Sequence, residues 1–497
     1  MSKFNETTKG SNITTNNCGH KAYKMEDKLK LTTMVLTTMF GEAKFYGDNT
    51  NELVKLAKEL ISNKEGEFIA NLAVFTRKEM HLRSVSHSLC SILAGEINGK
   101  EFVKYAVNGV VERADDITEI LSCYISMYGK PIANSLKKAL ASSMNKFNEY
   151  QFGKYNRDSK QVKFKDVLKI THSKAKNETQ NKIFKDILQD TLATPYTWEV
   201  ELSAKGNNKE TWEQLIASDK LGIMALVRNL NNIVKNQPEN IEKIYDTLRN
   251  ENVILKSKLL PFRFYSAYKK LEENNLASSK VFDSLEIALK HSTQNIEKLS
   301  GKTLIAIDVS GSMNDVISRK SDIKCSDIAC LLGAMANSIC EDAIVVTFDT
   351  DLYKQNLSTM SGIIANAKKM NSDGGGTDIT LPLKYLLTHK INVDRIIILS
   401  DNEINSNFSD DRWSNKTCQQ FVELYKKEIN SNVWVHAVDL QGYGTQQFMG
   451  KNVNIVAGWN EKIFDFIHLA EQGFDKIVKV IENYNEVSEN VDINAES

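Results

Sequence analysis

The chain has 497 residues, 41% of them apolar, with 63 Lys plus Arg balanced by 63 Asp plus Glu. That length suggests two or three domains, each with enough apolar side chain for a core. Five prolines are too few for a Pro-rich linker, and no apolar run approaches the roughly 20 residues that a membrane-spanning helix needs.

No apolar stretch follows a basic start at the N-terminus, so a secretory signal is not expected. The seven cysteines form no C-x-x-C pair and their number is odd. They read as reduced thiols, and the expected location is cytoplasmic. The balanced charge hides an asymmetry. Residues 301–497 carry 18 basic and 27 acidic side chains, while residues 1–300 carry 45 and 36. A basic first part of +9 followed by an acidic part of −9 implies different partners, with nucleic acid or another polyanion for the first.

Residues 1–20 are polar and read as a disordered arm. From about Met25 to Ser300 apolar residues recur at spacings of three and four, as in Leu53, Leu56, Ala57, Leu60 and Ile61. Breaks such as Asn98-Gly99-Lys100 separate helices of roughly 10 to 18 residues. A long run of amphipathic helices without strands suggests stacked helix pairs. Arg77 and His81 share a helix face at i, i+4, with Arg83 off that face. These three either line a nucleic-acid path or pair with acids, and both readings stand.

Lys154, Arg157, Lys160, Lys163, Lys165, Lys169, Lys174, Lys176 and Lys182 crowd one segment against Asp158, Asp166 and Glu178. Such a segment can neutralise phosphates and release counterions. Tyr150, Phe152, Tyr155 and His172 are interleaved there, and their rings can stack on bases. The plainer reading is a solvated helix face.

The pattern changes at Gly301. Residues 303–309 (TLIAIDV), 343–348 (AIVVTF), 395–399 (RIIIL) and 433–438 (VWVHAV) read as buried strands. Helical patterns at 326–340, 379–388 and 416–429 separate them, which indicates a parallel sheet covered on both faces. A last helix is expected from Glu461 to about Asn483, then an acidic tail over 486–497.

Polar clusters stand at three strand or loop ends: Asp308-Val309-Ser310-Gly311-Ser312, Gly374-Gly375-Gly376-Thr377-Asp378 and Ser400-Asp401-Asn402-Glu403. Ligands of open α/β sheets bind beyond the carboxyl ends of strands. Asp308 and Asp401 supply charge, and Ser310, Ser312 and Thr377 supply neutral oxygens. An all-oxygen set suits a hard divalent cation such as Mg²⁺. Taken alone, D-x-S-x-S reads equally as a helix N-cap. His389 and His436 fall in helix and strand patterns and read as core or surface residues, so no catalytic residue is assigned and no enzyme is expected.

The D-x-S-x-S loop with Thr377 and Asp401 resembles the metal-ion-dependent adhesion site of von Willebrand A domains, across residues 301–485. Residues 68–77 (FIANLAVFTR), 81–85 (HLRSV), 164–172 (FKDVLKITH), 224–230 (MALVRNL) and 259–264 (LLPFRF) resemble the TROVE family of Ro-like proteins, in the same order. That resemblance implies a HEAT-like helical-repeat ring over residues 21–300, followed by a doubly wound von Willebrand A domain. It implies binding of small structured non-coding RNA, the Y RNAs, and of single-stranded 3′ ends of misfolded RNA, with a role in RNA quality control or in tethering a nuclease. The family typically has His-Pro-Lys where this chain has His172-Ser173-Lys174, which puts the following loop in question. An adaptor that engages a protein partner through the metal site, with the helices as scaffold, is the alternative.

Overall fold

The computed structural model describes residues 13–15, 21–23, 27–37, 48–156, 161–276, 278–316, 323–358, 360–370, 374–401, 416–440, 448, 450–457, 463–472 and 474–484. The chain forms two compact units, one of residues 26–200 with 473–497, the other of residues 1–25 with 201–472. This division does not follow the break in sequence pattern at Gly301. Helices after residue 200 belong with the sheet, and the C-terminal segment belongs with the first helices.

The first unit is helical and layered. The helix Gly66–Lys78 packs on Ser84–Gly95 and on Val103–Val110, Ser84–Gly95 packs on Ala114–Tyr128, and Asn134–Ser143 packs on Val103–Val110 and Phe164–Thr171. A helix that contacts both its successor and the one after it belongs to stacked pairs, as the apolar spacing predicts. The apolar positions of these helices are buried almost completely, among them Leu72, Leu89, Val107, Leu121 and Leu140. Close approach needs Gly95, where a Cβ would lie 2.2 Å from the Tyr128 ring.

The expected single last helix is two helices, Ile463–Glu471 and Phe474–Glu482, the second belonging to the first unit. There Asn71 Nδ2 donates to Glu482 O at 2.9 Å and Tyr484 Oη to Glu79 Oε1 at 2.6 Å. Of the polar arm only residues 13–15 are described; they form strand β1 (Ile13–Thr15), which pairs antiparallel with β2 (Lys21–Tyr23) just beyond the arm.

The second unit holds a sheet of β3 (Leu299–Asp308), β4 (Cys340–Phe348), β5 (Leu352–Gln355), β6 (Arg395–Ser400), β7 (Trp434–Asp439) and β8 (Val453–Ala457), in the order β5-β4-β3-β6-β7-β8. All neighbours are parallel except β4 and β5. Side chains alternate between faces. Leu304, Ala306, Ile396, Ile398, Val435 and Ala437 meet Leu383, Leu386, Phe421 and Tyr425 on one side. On the other, Ile307 lies against Gly333 of the helix Cys325–Ile339, where a Cβ would come within 2.2 Å. From β3 the chain moves first to β4 and later to β6 on the opposite side, so the strand order reverses at β3, and in open α/β sheets ligands bind beyond the carboxyl ends at such a point. Among the described residues no helix is long and apolar enough to cross a membrane.

Candidate functional site

Asp308 is the last residue of β3, and its register partner in β4 is Phe348. Asp349 and Asp401 are therefore the first residues beyond β4 and β6, on either side of it. Asp308 is fully buried. Its Oδ1 accepts the amide N–H of Ser310 at 2.9 Å and its Oδ2 accepts the hydroxyl of Ser400 at 2.6 Å. Ser310 Oγ and Ser312 Oγ are 3.3 Å apart. Burial pushes the Asp308 carboxyl up to about 6, and repulsion from Asp401 adds to it, against the opposing effect of the Ser400 and Ser310 donors.

The glycine loop lies directly on this turn. Gly311 N–H donates to Gly375 O at 2.8 Å. A Cβ on Gly374 would sit 2.1 Å from Val309 O, so only glycine fits. Thr377 and Asp401 are buried. The structure thus brings the 308–312 turn against the 374–377 loop and sets Asp401 within electrostatic range of Asp308. The N-cap alternative for D-x-S-x-S does not hold. The short turn Gly311–Asn314 receives no side-chain cap from Ser310, and the helix that follows begins only at Cys325.

Two carboxylates and three hydroxyls make an oxygen-only donor set. The fit to a hard cation rests on Asp308: a buried carboxyl beside a second carboxylate, held by neutral donors, is a place where positive charge relieves both desolvation and repulsion. Ser400, which fixes Asp308, carries no sequence signal of its own beyond its place next to Asp401. Asn402 and Glu403 lie outside the described residues. Among the described residues no group of three or more His, Cys, Asp and Glu could hold a metal, so softer ligand sets have no counterpart here. His436 is buried in β7, with Nε2 3.0 Å from Glu471 Oε1 and Nδ1 3.1 Å from Asn454 Nδ2, in line with a core role.

The basic residues of the first unit separate into two kinds. Arg77 is buried, donating to Val110 O at 3.1 Å and to Asp116 Oδ2 at 3.2 Å. Arg83 reaches Asp116 Oδ1 at 2.5 Å and Asp115 Oδ2 at 2.7 Å. Of the two readings, acid pairing is therefore what the structure shows for both arginines. His81 does not share a helix face with Arg77, because that helix ends at Lys78 and His81 is exposed beyond it with φ 56°. The pairing acids stand more than 30 residues away in the chain, which no local pattern reveals.

In the basic segment, Lys154, Lys169, His172, Lys174, Lys176 and Lys182 are exposed or half-exposed and Lys163 is half-buried. Arg157 and Lys160 lie outside the described residues. The neighbouring acid Asp166 is half-buried and caps the helix, accepting the Lys163 amide at 2.9 Å. Lys165 differs, since it is ion-paired with Asp190. Phe152 is not available for stacking. It is buried in an edge-to-face cluster with Phe147 and Phe164. Tyr150 is exposed, and Tyr155 lies under the Arg113 guanidinium at 4.7 Å. His172 ends the helix Phe164–Thr171 in the left-handed region, φ 51°. In place of a proline, Ser173 hydrogen-bonds Thr171 through its hydroxyl at 2.7 Å, and Asn145 pins the loop by donating to Lys174 O and accepting from Lys176 N–H, each at 2.9 Å.

Comparison with known proteins agrees with this architecture. The chain is 20% identical over 334 residues to Telomerase protein component 1 of Rattus norvegicus, covering 50% of this chain and 13% of that protein. It is 33% identical over 126 residues to the Mus musculus counterpart, covering 23% of this chain and 5% of that protein. With the RNA-binding protein RO60 of Deinococcus radiodurans it shares 22% identity over 210 residues, 37% of each chain. The chain thus spans only a minor part of the length of these relatives. The crystal structure of the Deinococcus radiodurans RO (RSR) protein has the same fold, with a TM-score of 0.68 at 15% identity, covering 90% of this chain and 100% of that one. The Ro60 vWA domain model matches residues 302–467. The TROVE domain model matches residues 23–194 and 189–310, more than half of the chain, and the protein belongs to the TROVE-domain family.

Proposed function

We propose that this protein binds RNA through its helical part, taking small structured Y-like RNA and the single-stranded ends of misfolded RNA, and serves RNA quality control or tethers a nuclease to such RNA. The observation that carries the reading is the basic segment between Lys154 and Lys182. Its lysines are mostly exposed while its nearest acid, Asp166, is committed to a helix cap. Exposed cations attract phosphates and gain from counterion release. Membership of the TROVE family and the likeness to a protein named as RNA-binding support it.

In the same proposal the sheet holds Mg²⁺ through Asp308, Ser310, Ser312, Thr377 and Asp401, and the ion presents an electrophilic face to a carboxylate of a protein partner. The buried oxygen-only set supports this part, and it is also what would favour the adaptor reading. No chemistry of bond breaking is assigned to the ion.

Fluorescence anisotropy with a stem-loop RNA bearing a 3′ single-stranded tail tests the RNA reading. Affinity should fall steeply with salt, and the triple variant Lys169→Ala, Lys174→Ala, Lys182→Ala should bind less tightly. Its log–log salt slope should be shallower by about 1 for each phosphate that the removed lysines neutralise. Unchanged affinity and slope in the triple variant would move the RNA interface elsewhere. No RNA binding by the wild type at low salt would leave the adaptor reading.

A further inference from the structure

Thr377 stands in a loop with three glycines on its N-terminal side, and such a loop does not hold a side chain in place by itself. We propose that Asp349 is the positioning residue that fixes Thr377 for the cation. The inference rests on reading the carboxyl end of β3 as a cation site.

Asp349 follows β4 directly and is only 8% exposed. It grips the loop on both sides of Thr377. Its Oδ2 accepts Gly375 N–H at 3.3 Å, and its backbone carbonyl accepts Asp378 N–H at 2.8 Å. Its Oδ1 accepts Asp351 N–H at 2.9 Å and the Thr350 hydroxyl at 3.4 Å, and its own N–H donates to Asp351 O at 3.0 Å. The gripping carboxylate is thus itself anchored.

The backbone of Gly375 is held from two directions. Its N–H goes to Asp349 and its carbonyl accepts Gly311 N–H, between Ser310 and Ser312. One carboxylate therefore links the threonine loop to the serine turn. The alternative anchor, Asp378, is already engaged. Its carboxylate accepts the Thr380 amide at 2.9 Å and pairs with Lys384 at 3.1 Å. Both oxygens of Asp349 face donors of the protein, so it acts on the cation through the loop, as outer partners of metal ligands do.

The experiment measures Mn²⁺ affinity by electron paramagnetic resonance for the wild type, Asp349→Ala, Thr377→Ala and the double variant. It also follows hydrogen exchange of peptides covering residues 374–381 in the metal-free proteins. Asp349→Ala should weaken Mn²⁺ binding by roughly 10- to 100-fold. The double variant should lose less than the sum of the two single losses, because Asp349 acts through the loop that carries Thr377. Exchange over 374–381 should quicken in Asp349→Ala while the helix Cys325–Ile339 is unchanged. Full additivity in the double variant, wild-type affinity in Asp349→Ala, or unaltered exchange over 374–381 would each overturn the proposal. A wild type that takes up no Mn²⁺ would instead overturn the cation reading on which the proposal rests.

Discussion

Replacing Asp116 by Asn should loosen the first helical unit by about 3 kcal/mol, at the lower end of the roughly 3–5 kcal/mol for breaking a buried ion pair. Asp116 is fully buried and is the acceptor for five donors. Oδ1 faces Arg83 Nε at 2.5 Å and His87 Nε2 at 3.0 Å. Oδ2 faces Arg77 Nη2 at 3.2 Å and the amides of Glu112 and Arg113 at 3.1 and 2.9 Å. Burial alone would raise this carboxyl, but His87, Arg83 and Arg77 together hold it far below the usual carboxylate range. An Asn keeps one acceptor oxygen. Its NH₂ cannot face the two backbone amides and Arg77, which all donate. It must turn toward Oδ1's partners, where a neutral His87 can switch tautomer and accept, but Arg83 cannot. The loss is then one charge-assisted bond to Arg83 and the negative charge that Arg77 needs, at roughly 1.5–3 kcal/mol for a bond to a charged group. Hydrogen exchange of the helices Gly66–Lys78 and Ala114–Tyr128 reads this out. A loss of about 3 kcal/mol speeds globally limited exchange by roughly 100-fold. Exchange within about threefold of the wild type would refute the view that Arg77 and Arg83 are held for structure.

Gly374→Ala should abolish Mn²⁺ uptake by forcing the loop off Val309 O, whereas Gly375→Ala, whose Cβ meets only Thr350 at 3.3 Å, should retain it within a few-fold; titration of both variants checks the contrast. His172→Gly should gain up to about 1 kcal/mol in thermal stability by relieving a left-handed residue, and lose roughly 1–3 kcal/mol of RNA affinity if the ring stacks on a base; unchanged affinity would remove His172 from the interface. For Glu471, burial is outweighed by Arg395 and His436, which hold its carboxyl down to about 2 from 4.5. A depressed folded value gives stability that is present above pH 4.5 and is lost as pH falls toward 2. Urea midpoints of the sheet domain should therefore drop over that range in the wild type and change less in Glu471→Gln.

The central strands are legible because a strand buried on both faces leaves a continuous apolar run. Residues 303–309, 343–348, 395–399 and 433–438 all fall within or within one residue of β3, β4, β6 and β7. The edge strands carry no such mark. β5 reads LYKQ, with Tyr353 half exposed, and β8 reads VNIVA, with a polar residue at its second position. The division of the last helix is hidden because amphipathic spacing continues through both halves. The local cue is Gly473, and the reason the halves part is non-local, since Tyr484 and Glu482 find partners near Glu79 and Asn71.

The candidate sites show the same limit in a sharper form. A motif names the chemistry of a side chain, but its role depends on whether a partner has already taken its charge. In sequence Arg77 and Arg83 look like the lysines of the basic segment, yet Asp115 and Asp116 take them up from a distant helix. Asp378 looks like Asp308, yet Lys384 pairs with it, while Asp308 meets hydroxyl and amide donors and a neighbouring carboxylate. Among the described residues, Lys169, Lys174 and Lys182 pair with no acid. Charges neutralised within the fold exert little field outside; a buried carboxyl left with neutral donors gains from a nearby cation, and exposed unpaired lysines keep a field that attracts anions. Among the described residues, the carboxyl end of β3 and the lysines around His172 keep charge that no ion pair within the fold takes up, whereas Arg77, Arg83 and Asp116 direct theirs at one another.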